Sequence, residues 1–199
     1  MTVSFAVNWD YRCPFARIAH THVVEGLLDG ADWDVSFVPF SLGQVHVEDG
    51  ETPIWERPDD DTGLLALQAA VVVRDTDPER FPLVHRALFD ARHAQGAKIR
   101  DEAVLRAILA EHGVEPDAVF TEVATGEPLG IVRDEHTATV EDLGVWGVPT
   151  FMAGGRAAFV RLMELPADAA DARRSIERIL DMLTGWAELN EFKHTGLDR

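Results

Sequence analysis

The first forty residues change their hydrophobic period twice. Over residues 3–9 the apolar side chains recur at every second position, which predicts a strand with one buried face. From Pro14 to about residue 29 they follow a helical stripe instead, and Gly30 is suited to ending that helix. A second strand is predicted over residues 33–38, closed by Pro39. The chain is therefore predicted to open as strand, helix and parallel strand.

The middle of the chain is predicted to be a long loop followed by helices. Residues 41–62 contain several glycines and prolines and the run Asp59-Asp60-Asp61, which is typical of a solvated loop. Helical periodicity then predicts five helices. They cover residues 64–74, residues 77–95 with an Asp77-Pro78 start, residues 101–113 capped by Asp101, residues 116–124, and residues 128–144.

The last third of the chain returns to strands. Residues 150–152 and 157–160 flank Gly154-Gly155, which is a hairpin signal, and residues 168–183 have the pattern of an amphipathic helix. The predicted order is therefore strand-helix-strand, a helical block, and strand-strand-helix. This order predicts an α/β fold whose two parts are separated by a mainly helical insertion.

Composition and charge exclude several functions. A chain of 199 residues with 46% hydrophobic residues predicts one domain, with or without an insertion, and a sizeable core. Its 35 acidic and 18 basic residues give a net charge of −17, which repels nucleic acids and anionic membranes. The longest apolar stretch, residues 64–73, is too short to span a bilayer, and the first residues lack a signal-peptide pattern. We therefore expect a cytoplasmic protein that binds neither nucleic acid nor membrane.

The single cysteine, Cys13, is the main candidate for chemistry. It cannot form an internal disulfide or a cysteine metal cluster. It stands before Pro14 at the predicted junction of the first strand and helix, where backbone N–H groups and the helix dipole stabilise a thiolate. Arg12 and Arg17 add positive charge nearby. We therefore predict a nucleophilic Cys13 with a lowered pKa, and the alternative is a buried structural thiol.

Two segments of the sequence resemble a known family. They are Cys13-Pro14-Phe15-Ala16 after the first strand, and Gly147-Val148-Pro149-Thr150-Phe151 before the terminal strand-strand-helix unit. Together with the helical block between them, they resemble the DsbA-like branch of the thioredoxin superfamily over nearly the whole chain. The resemblance implies a thioredoxin-like domain of residues 1–40 and 145–199, with a loop and helical insertion domain over residues 41–144.

The resemblance also implies where the site lies. In that family the cysteine motif begins the first helix, and a cis-proline loop lies beside it. By resemblance, Val148-Pro149 is expected to be a cis bond whose adjoining backbone pairs with a bound peptide or thiol. Cys13 and Pro149 are therefore predicted to be catalytic, with Val148 and Thr150 as substrate-binding residues.

Ala16 departs from the family pattern, because the family has a second cysteine at this position. The chain cannot form the C-x-x-C disulfide, so a mixed disulfide at Cys13 has to be resolved by a thiol from outside. The sequence thus favours a DsbA-like thiol oxidoreductase of monothiol type. Glutathione or mycothiol is the expected co-substrate, and no tightly bound cofactor is expected.

Two other functions stay open at this point. Kappa-class glutathione transferases and 2-hydroxychromene-2-carboxylate isomerases resemble this layout but carry serine at the nucleophile position, so Cys13 would only orient a bound thiol. A degenerate fold could instead serve as a binding or dimerisation module, and a homodimer is left open. The segment around Cys13 and the tail over residues 186–192 most resemble actinobacterial DsbA-like proteins linked to mycothiol.

His136 is the second catalytic candidate. It interrupts an apolar stripe on the helix that leads to Pro149, where a neutral imidazole could accept a proton from a thiol or substrate. A satisfied core histidine is the alternative. The other histidines are predicted to lie at the surface, and His85 and His93 are too far apart along their helix to share a metal ion. No metal site is expected.

The remaining site predictions surround these catalytic candidates. Arg12 is predicted to hold the thiolate. Aromatic side chains near Cys13 and Pro149 are predicted to line a cleft for a small apolar or disulfide substrate. The predicted substrate-binding side chains are Tyr11, Arg12, Pro14, Phe15 and Trp146.

Overall fold

A four-stranded mixed sheet forms the centre of the protein, in a computed structural model that describes residues 2–194. Its strands are β1 (Val3–Trp9), β2 (Trp33–Pro39), β3 (Thr150–Ala153) and β4 (Arg156–Phe159), arranged in the order β2-β1-β3-β4. β1 and β2 are parallel, whereas β3 is antiparallel to both β1 and β4. The predicted α/β order is confirmed.

Eight α-helices surround this sheet within the described residues. They are α1 (Pro14–Leu28), α2 (Leu42–Val45), α3 (Leu64–Thr76), α4 (Phe81–His93), α5 (Glu102–Glu111), α6 (Pro116–Thr125), α7 (Glu127–Leu143) and α8 (Ala169–Gly185). α1 packs against both α8 and α4, so it joins the sheet to the helical block. Across residues 2–194, no helix combines the length and the apolar character needed to cross a bilayer.

β1 is the strand on which the site is built. It has hydrogen-bonded neighbours on both sides, and its side chains Phe5, Val7 and Trp9 are buried. The chain then turns within four residues, because the backbone N–H of Cys13 donates to the carbonyl of Asp10 at 3.0 Å. This turn delivers the cysteine directly from the central strand to the start of α1.

The structure changes the sequence predictions at three places in the insertion. α4 begins at Phe81 and not at the Asp77-Pro78 pair, because Asp77 ends α3 and its carboxylate accepts hydrogen bonds from Arg80. Asp101 lies at the N-cap of α5 as predicted, but its side chain makes no capping hydrogen bond. The predicted loop contains α2 and two 3-10 turns, over Ile54–Glu56 and Pro58–Asp60.

Gly26 allows α1 to lie close to β2. A Cβ atom at this position would be only 2.3 Å from Cζ3 of Trp33, which is well inside van der Waals contact. The indole ring packs edge-on against Phe5, with 5.9 Å between the ring centroids, so a larger residue at position 26 would have to displace a packed ring. The close approach therefore requires glycine.

We expect Gly26→Ala to lower the free energy of unfolding by about 1–3 kcal/mol through overpacking. Gly130→Ala is the matched control, because Gly130 is also helical and its Cβ would meet nothing within 4 Å. The control should be neutral or stabilise the protein by up to about 1 kcal/mol. Urea denaturation of both variants measures the difference, and equal destabilisation would contradict the packing argument.

Candidate active site

Cys13 occupies the N-cap of α1, and its sulfur lies between two backbone groups. The N–H of Ala16 donates to Sγ at 3.4 Å, and the thiol donates to the carbonyl oxygen of Val148, also at 3.4 Å. Residues 147–150, which we call the Pro149 loop, contain a cis Val148–Pro149 peptide bond. The two segments that carry the family resemblance therefore meet at one sulfur atom.

The environment of Cys13 favours the protonated thiol. Burial raises the pKa of Cys13 because it removes water from the thiolate, and only 8% of the residue is exposed. The backbone N–H groups of Ala16 and Phe15 act in the opposite direction, the carboxylate of Asp10 raises the pKa further, and the charge of Arg161 lowers it. The predicted lowering of the pKa is therefore wrong, because desolvation outweighs the helix N-terminus.

Arg12 is engaged with carboxylates and not with the cysteine. Its guanidinium forms ion pairs with Asp10 at 3.0 Å and with Asp61 at 3.1 Å, and both carboxylates are almost completely buried. Arg17 forms an ion pair with Asp90 at 2.8 Å. Arg12 was predicted to stabilise the thiolate of Cys13. Its contacts do not support this role, because its guanidinium is paired with two buried carboxylates.

Arg161 is the positively charged residue that lowers the pKa of Cys13, and no sequence pattern predicted its place in the site. The residue follows β4, and its guanidinium lies 5.1 Å from the centre of the Phe15 ring, in a cation–π contact. Within residues 2–194 no carboxylate forms an ion pair with Arg161. The site thus has one unneutralised positive charge, above a half-buried aromatic ring next to the thiol.

Trp146 forms an exposed aromatic surface beside the Pro149 loop. Its ring packs against Phe159 in a tilted arrangement with 4.5 Å between the centroids, and 65% of the residue is exposed. Pro14 is also exposed, whereas the side chains of Val148 and Thr150 are buried. A ligand that reaches the sulfur would therefore meet these exposed rings and the backbone of the loop.

Tyr11 lies in the core and not in a cleft. It is completely buried, and its hydroxyl is hydrogen-bonded to Nδ1 of His85 at 2.7 Å. Its ring packs against Phe89, with 4.7 Å between the centroids. Tyr11 was predicted to bind substrate, but this position gives its side chain no access to a ligand at the surface.

His136 anchors the loop after β2. Its Nδ1 accepts a hydrogen bond from the backbone N–H of Ser41 at 3.2 Å, and its ring packs against Phe40 and Trp55. Burial lowers the pKa of His136 to about 4, so the imidazole is neutral at neutral pH. The sulfur of Cys13 binds Ala16 and Val148 instead, so the structure does not bring the two catalytic candidates into hydrogen-bond contact.

The prediction that the other histidines lie at the surface is wrong for His20, His22 and His85, which are buried. A signal was present, because His85 shares a helical stripe with the apolar residues Phe81 and Leu88. The alternative of a core histidine, which an apolar stripe also offers for His136, therefore applies to His85.

The arrangement can form one covalent bond to an external sulfur. Cys13 is the single cysteine of the chain, and Ala16 occupies the position of a resolving thiol. Within the described part of the chain, no three His, Cys, Asp or Glu side chains are grouped to hold a metal ion. The chemistry of the site therefore rests on one thiol, its backbone contacts and the nearby charges.

Burial raises the pKa of Cys13. We therefore expect its alkylation by iodoacetamide to reach half of the maximal rate at a pH above about 8.5, which is the ordinary pKa of a free cysteine. The rate is measured across pH, with uncharged N-acetylcysteine amide as the reference thiol and Cys13→Ser as the background. A midpoint below that of the reference thiol would show that the helix N-terminus, and not desolvation, controls the sulfur.

Comparison with known proteins assigns most of the sequence to a known family. Residues 6–171 match the DSBA-like thioredoxin domain. No curated protein sequence matches the chain.

Solved structures share the fold at low sequence identity. The chain is similar to a 2-hydroxychromene-2-carboxylate isomerase, with a TM-score of 0.65, 12% identity, and coverage of 90% of this chain and 97% of that one. It is similar to the cytosolic disulfide reductase DsbM from Pseudomonas aeruginosa with GSH, with a TM-score of 0.63, 18% identity, and coverage of 89% and 99%. A probable DsbA oxidoreductase from Streptomyces coelicolor has a TM-score of 0.63, 14% identity, and coverage of 96% and 93%. Since the family match spans most of the chain, the protein belongs to the DSBA-like thioredoxin domain family.

Proposed function

We propose that the protein is a thiol–disulfide oxidoreductase of monothiol type. The observation that carries this proposal is the position of the Cys13 sulfur, which lies 3.4 Å from the Val148 carbonyl at the cis-proline loop, with Ala16 in place of a second thiol. Membership of the DSBA-like family supports thiol chemistry at this position. The missing resolving cysteine limits that chemistry to mixed disulfides with an external thiol.

The reaction would proceed in two exchanges. The Cys13 thiolate attacks one sulfur of a small disulfide, the S–S bond breaks, and the leaving sulfur takes up the proton that Cys13 lost. An external thiol then attacks the mixed disulfide, so that Cys13 regains its proton and a new disulfide is released. The net reaction of the two exchanges replaces one half of the original disulfide by the external thiol and releases the other half as a thiol. Complete reduction to two thiols requires a second external thiol, so that two thiols together supply the two electrons.

The Pro149 loop would help to ionise the thiol when a partner binds. In the resting site the Val148 carbonyl accepts a hydrogen bond from the thiol. A partner N–H that binds this carbonyl competes for the same oxygen, which weakens the stabilisation of the protonated form. A raised pKa at rest is therefore compatible with attack in the complex.

Arg161 and Phe15 favour a small thiol that carries a carboxylate. The guanidinium has no ion-pair partner among the described residues, and it lies over the ring of Phe15 near the sulfur. Glutathione has two carboxylates and fits this charge, and the similar structure of DsbM was solved with GSH. Mycothiol is the other co-substrate that the sequence suggested. A cytosolic location, as named for DsbM, is part of the same proposal.

Incubation with oxidised glutathione should add one glutathione to the wild-type chain, because Cys13 is its only thiol. Intact mass spectrometry measures the adduct, reduced glutathione should remove it, and Cys13→Ala should abolish it. A wild-type protein that stays unmodified at every pH tested would contradict the oxidoreductase and favour a binding module.

A thiol-dependent transferase or isomerase is the second candidate. The raised pKa of Cys13 and the similarity to the isomerase structure favour it, because a neutral thiol can donate a hydrogen bond to a bound thiolate. Cys13→Ser separates the two functions. Conjugation of glutathione to an electrophile such as 1-chloro-2,4-dinitrobenzene should survive in the serine variant of a transferase, whereas the oxidoreductase loses all thiol exchange.

Arg161→Gln should slow the reaction of Cys13 with oxidised glutathione by about tenfold, since a charge-assisted contact contributes about 1.5 kcal/mol or more. Its reaction with bis(2-hydroxyethyl) disulfide, which has no carboxylate, should fall much less. Arg156→Gln removes the same charge from an exposed position at the start of β4 and serves as the control. Equal slowing with both disulfides would show that Arg161 acts on the sulfur and not on the ligand.

A further inference from the structure

The Pro149 loop is held from behind by the side chain of Asn8. The Nδ2 of Asn8 donates to the carbonyl of Gly147 at 3.1 Å, and its Oδ1 accepts from the N–H of Thr150 at 2.6 Å. The hydroxyl of Thr150 donates to the same Gly147 carbonyl at 2.8 Å. Asn8 is completely buried. One amide therefore ties together both ends of the loop that contacts Cys13.

Asn8 makes these contacts at the position where the hydrogen bonds between β1 and β3 would otherwise continue. Ala6 lies opposite Met152, and Val7 lies opposite Phe151, so the same register places Thr150 opposite Asn8. The N–H of Thr150 binds the side chain of Asn8 and not its carbonyl, so that carbonyl needs another donor. His20 supplies it from α1, with 2.9 Å between Nε2 and the carbonyl oxygen.

The hydrogen positions behind His20 follow from this bond. A carbonyl can only accept, so the Nε2 of His20 carries the hydrogen and its Nδ1 is the acceptor in the neutral ring. His85 must then donate from Nε2 to His20, over 2.9 Å, and accept at Nδ1. The hydroxyl of Tyr11 therefore donates to His85. Asn8, His20, His85 and Tyr11 form one chain with a single direction of donation, which we call the histidine chain.

The surroundings keep both imidazoles neutral and fixed. Burial lowers the pKa of His20 to about 4 and that of His85 well below its ordinary value. Aromatic rings enclose His85 on several sides, with centroid distances of 5.1 Å to Trp9 and 4.9 Å to Phe81. The donor to the Asn8 carbonyl therefore has one protonation state and one orientation at neutral pH.

The position of the loop matters for Cys13 because Val148 lies inside it. The Val148 carbonyl accepts the thiol proton at 3.4 Å, which stabilises the protonated sulfur, and its partial negative charge repels a thiolate. The charged groups that act on Cys13 are Asp10 and Arg161. Asp10 is held by Arg12 and Leu42, and Arg161 lies over Phe15, so neither depends on Asn8 for its position.

We propose that Asn8, whose backbone carbonyl is held by His20 at the end of the histidine chain, is a positioning residue that keeps the Val148 carbonyl on the Cys13 sulfur, so that the resting thiol retains its proton. This proposal depends on the proposed function only for its effect on disulfide exchange, and not for its effect on the ionisation of Cys13. Ionisation of Cys13 is measured by alkylation, which requires no disulfide substrate.

The test compares the pH dependence of Cys13 alkylation by iodoacetamide in a set of variants. Asn8→Leu removes both contacts to the Pro149 loop, and His20→Leu removes the donor to the Asn8 carbonyl. Both should lower the pH of half-maximal rate by about 0.5–1 unit, because the sulfur loses an acceptor that favours its protonated form. In Asn8→Leu the N–H of Thr150 should also exchange faster with solvent.

Two controls separate positioning from general stability. His20→Gln can still donate to the Asn8 carbonyl and should restore most of the wild-type midpoint. Gln68→Leu removes another buried amide, which in the wild type donates within α3 to Leu64, and should leave the midpoint unchanged. If Asn8→Leu does not fold, the His20→Leu and His20→Gln pair still decides the result.

The outcomes are distinguishable from failure of the proposed function. An unchanged midpoint in folded Asn8→Leu or His20→Leu overturns the positioning role, as does an equal shift in Gln68→Leu. The two proposals can also fail separately. If the pH of half-maximal alkylation shifts in these variants but the wild-type protein exchanges no disulfide, the positioning role is supported and only the proposed function is contradicted.

Discussion

The balance of forces on one buried sulfur underlies the whole site. The first turn of α1 directs backbone N–H groups at Cys13 and favours its thiolate, whereas burial and the Val148 carbonyl favour the thiol. Desolvation is the larger effect, so the resting group is a neutral thiol. This balance requires β1 in the middle of the sheet, because β1 delivers Cys13 at its end and pairs with β3 beside the Pro149 loop.

The surface around the sulfur explains how a neutral thiol can still be useful. Arg161 and Phe15 lie on one side, and the packed rings of Trp146 and Phe159 lie near the Pro149 loop. A ligand with a carboxylate and some apolar surface can contact both sides while its sulfur approaches Cys13. In the proposed function, ionisation would be coupled to binding, which would protect an unpaired thiol from unproductive reactions between encounters.

The sequence predicted the framework well because its signals are local. Alternation in β1 and the change of period after Pro14 define the first half of the sheet domain, and the meeting of Cys13 with Pro149 followed from the family motifs. The predictions that failed depend on partners distant in sequence. Arg12 forms an ion pair with the buried Asp61, which lies far from it in the sequence. Arg161 lies near Cys13 only because the terminal hairpin folds against the start of α1. The direction of the pKa shift of Cys13 likewise could not be predicted, because it depends on burial and therefore on the packing of the folded chain.

The single direction of donation in the histidine chain has a consequence for sequence change. Tyr11, His85 and His20 each supply the hydrogen that the next acceptor needs, and the last acceptor is the backbone carbonyl of Asn8. Replacing any of these three side chains by an apolar residue leaves a polar atom without its partner in a dry interior. The three positions are therefore coupled, and in related chains they should be kept together or lost together.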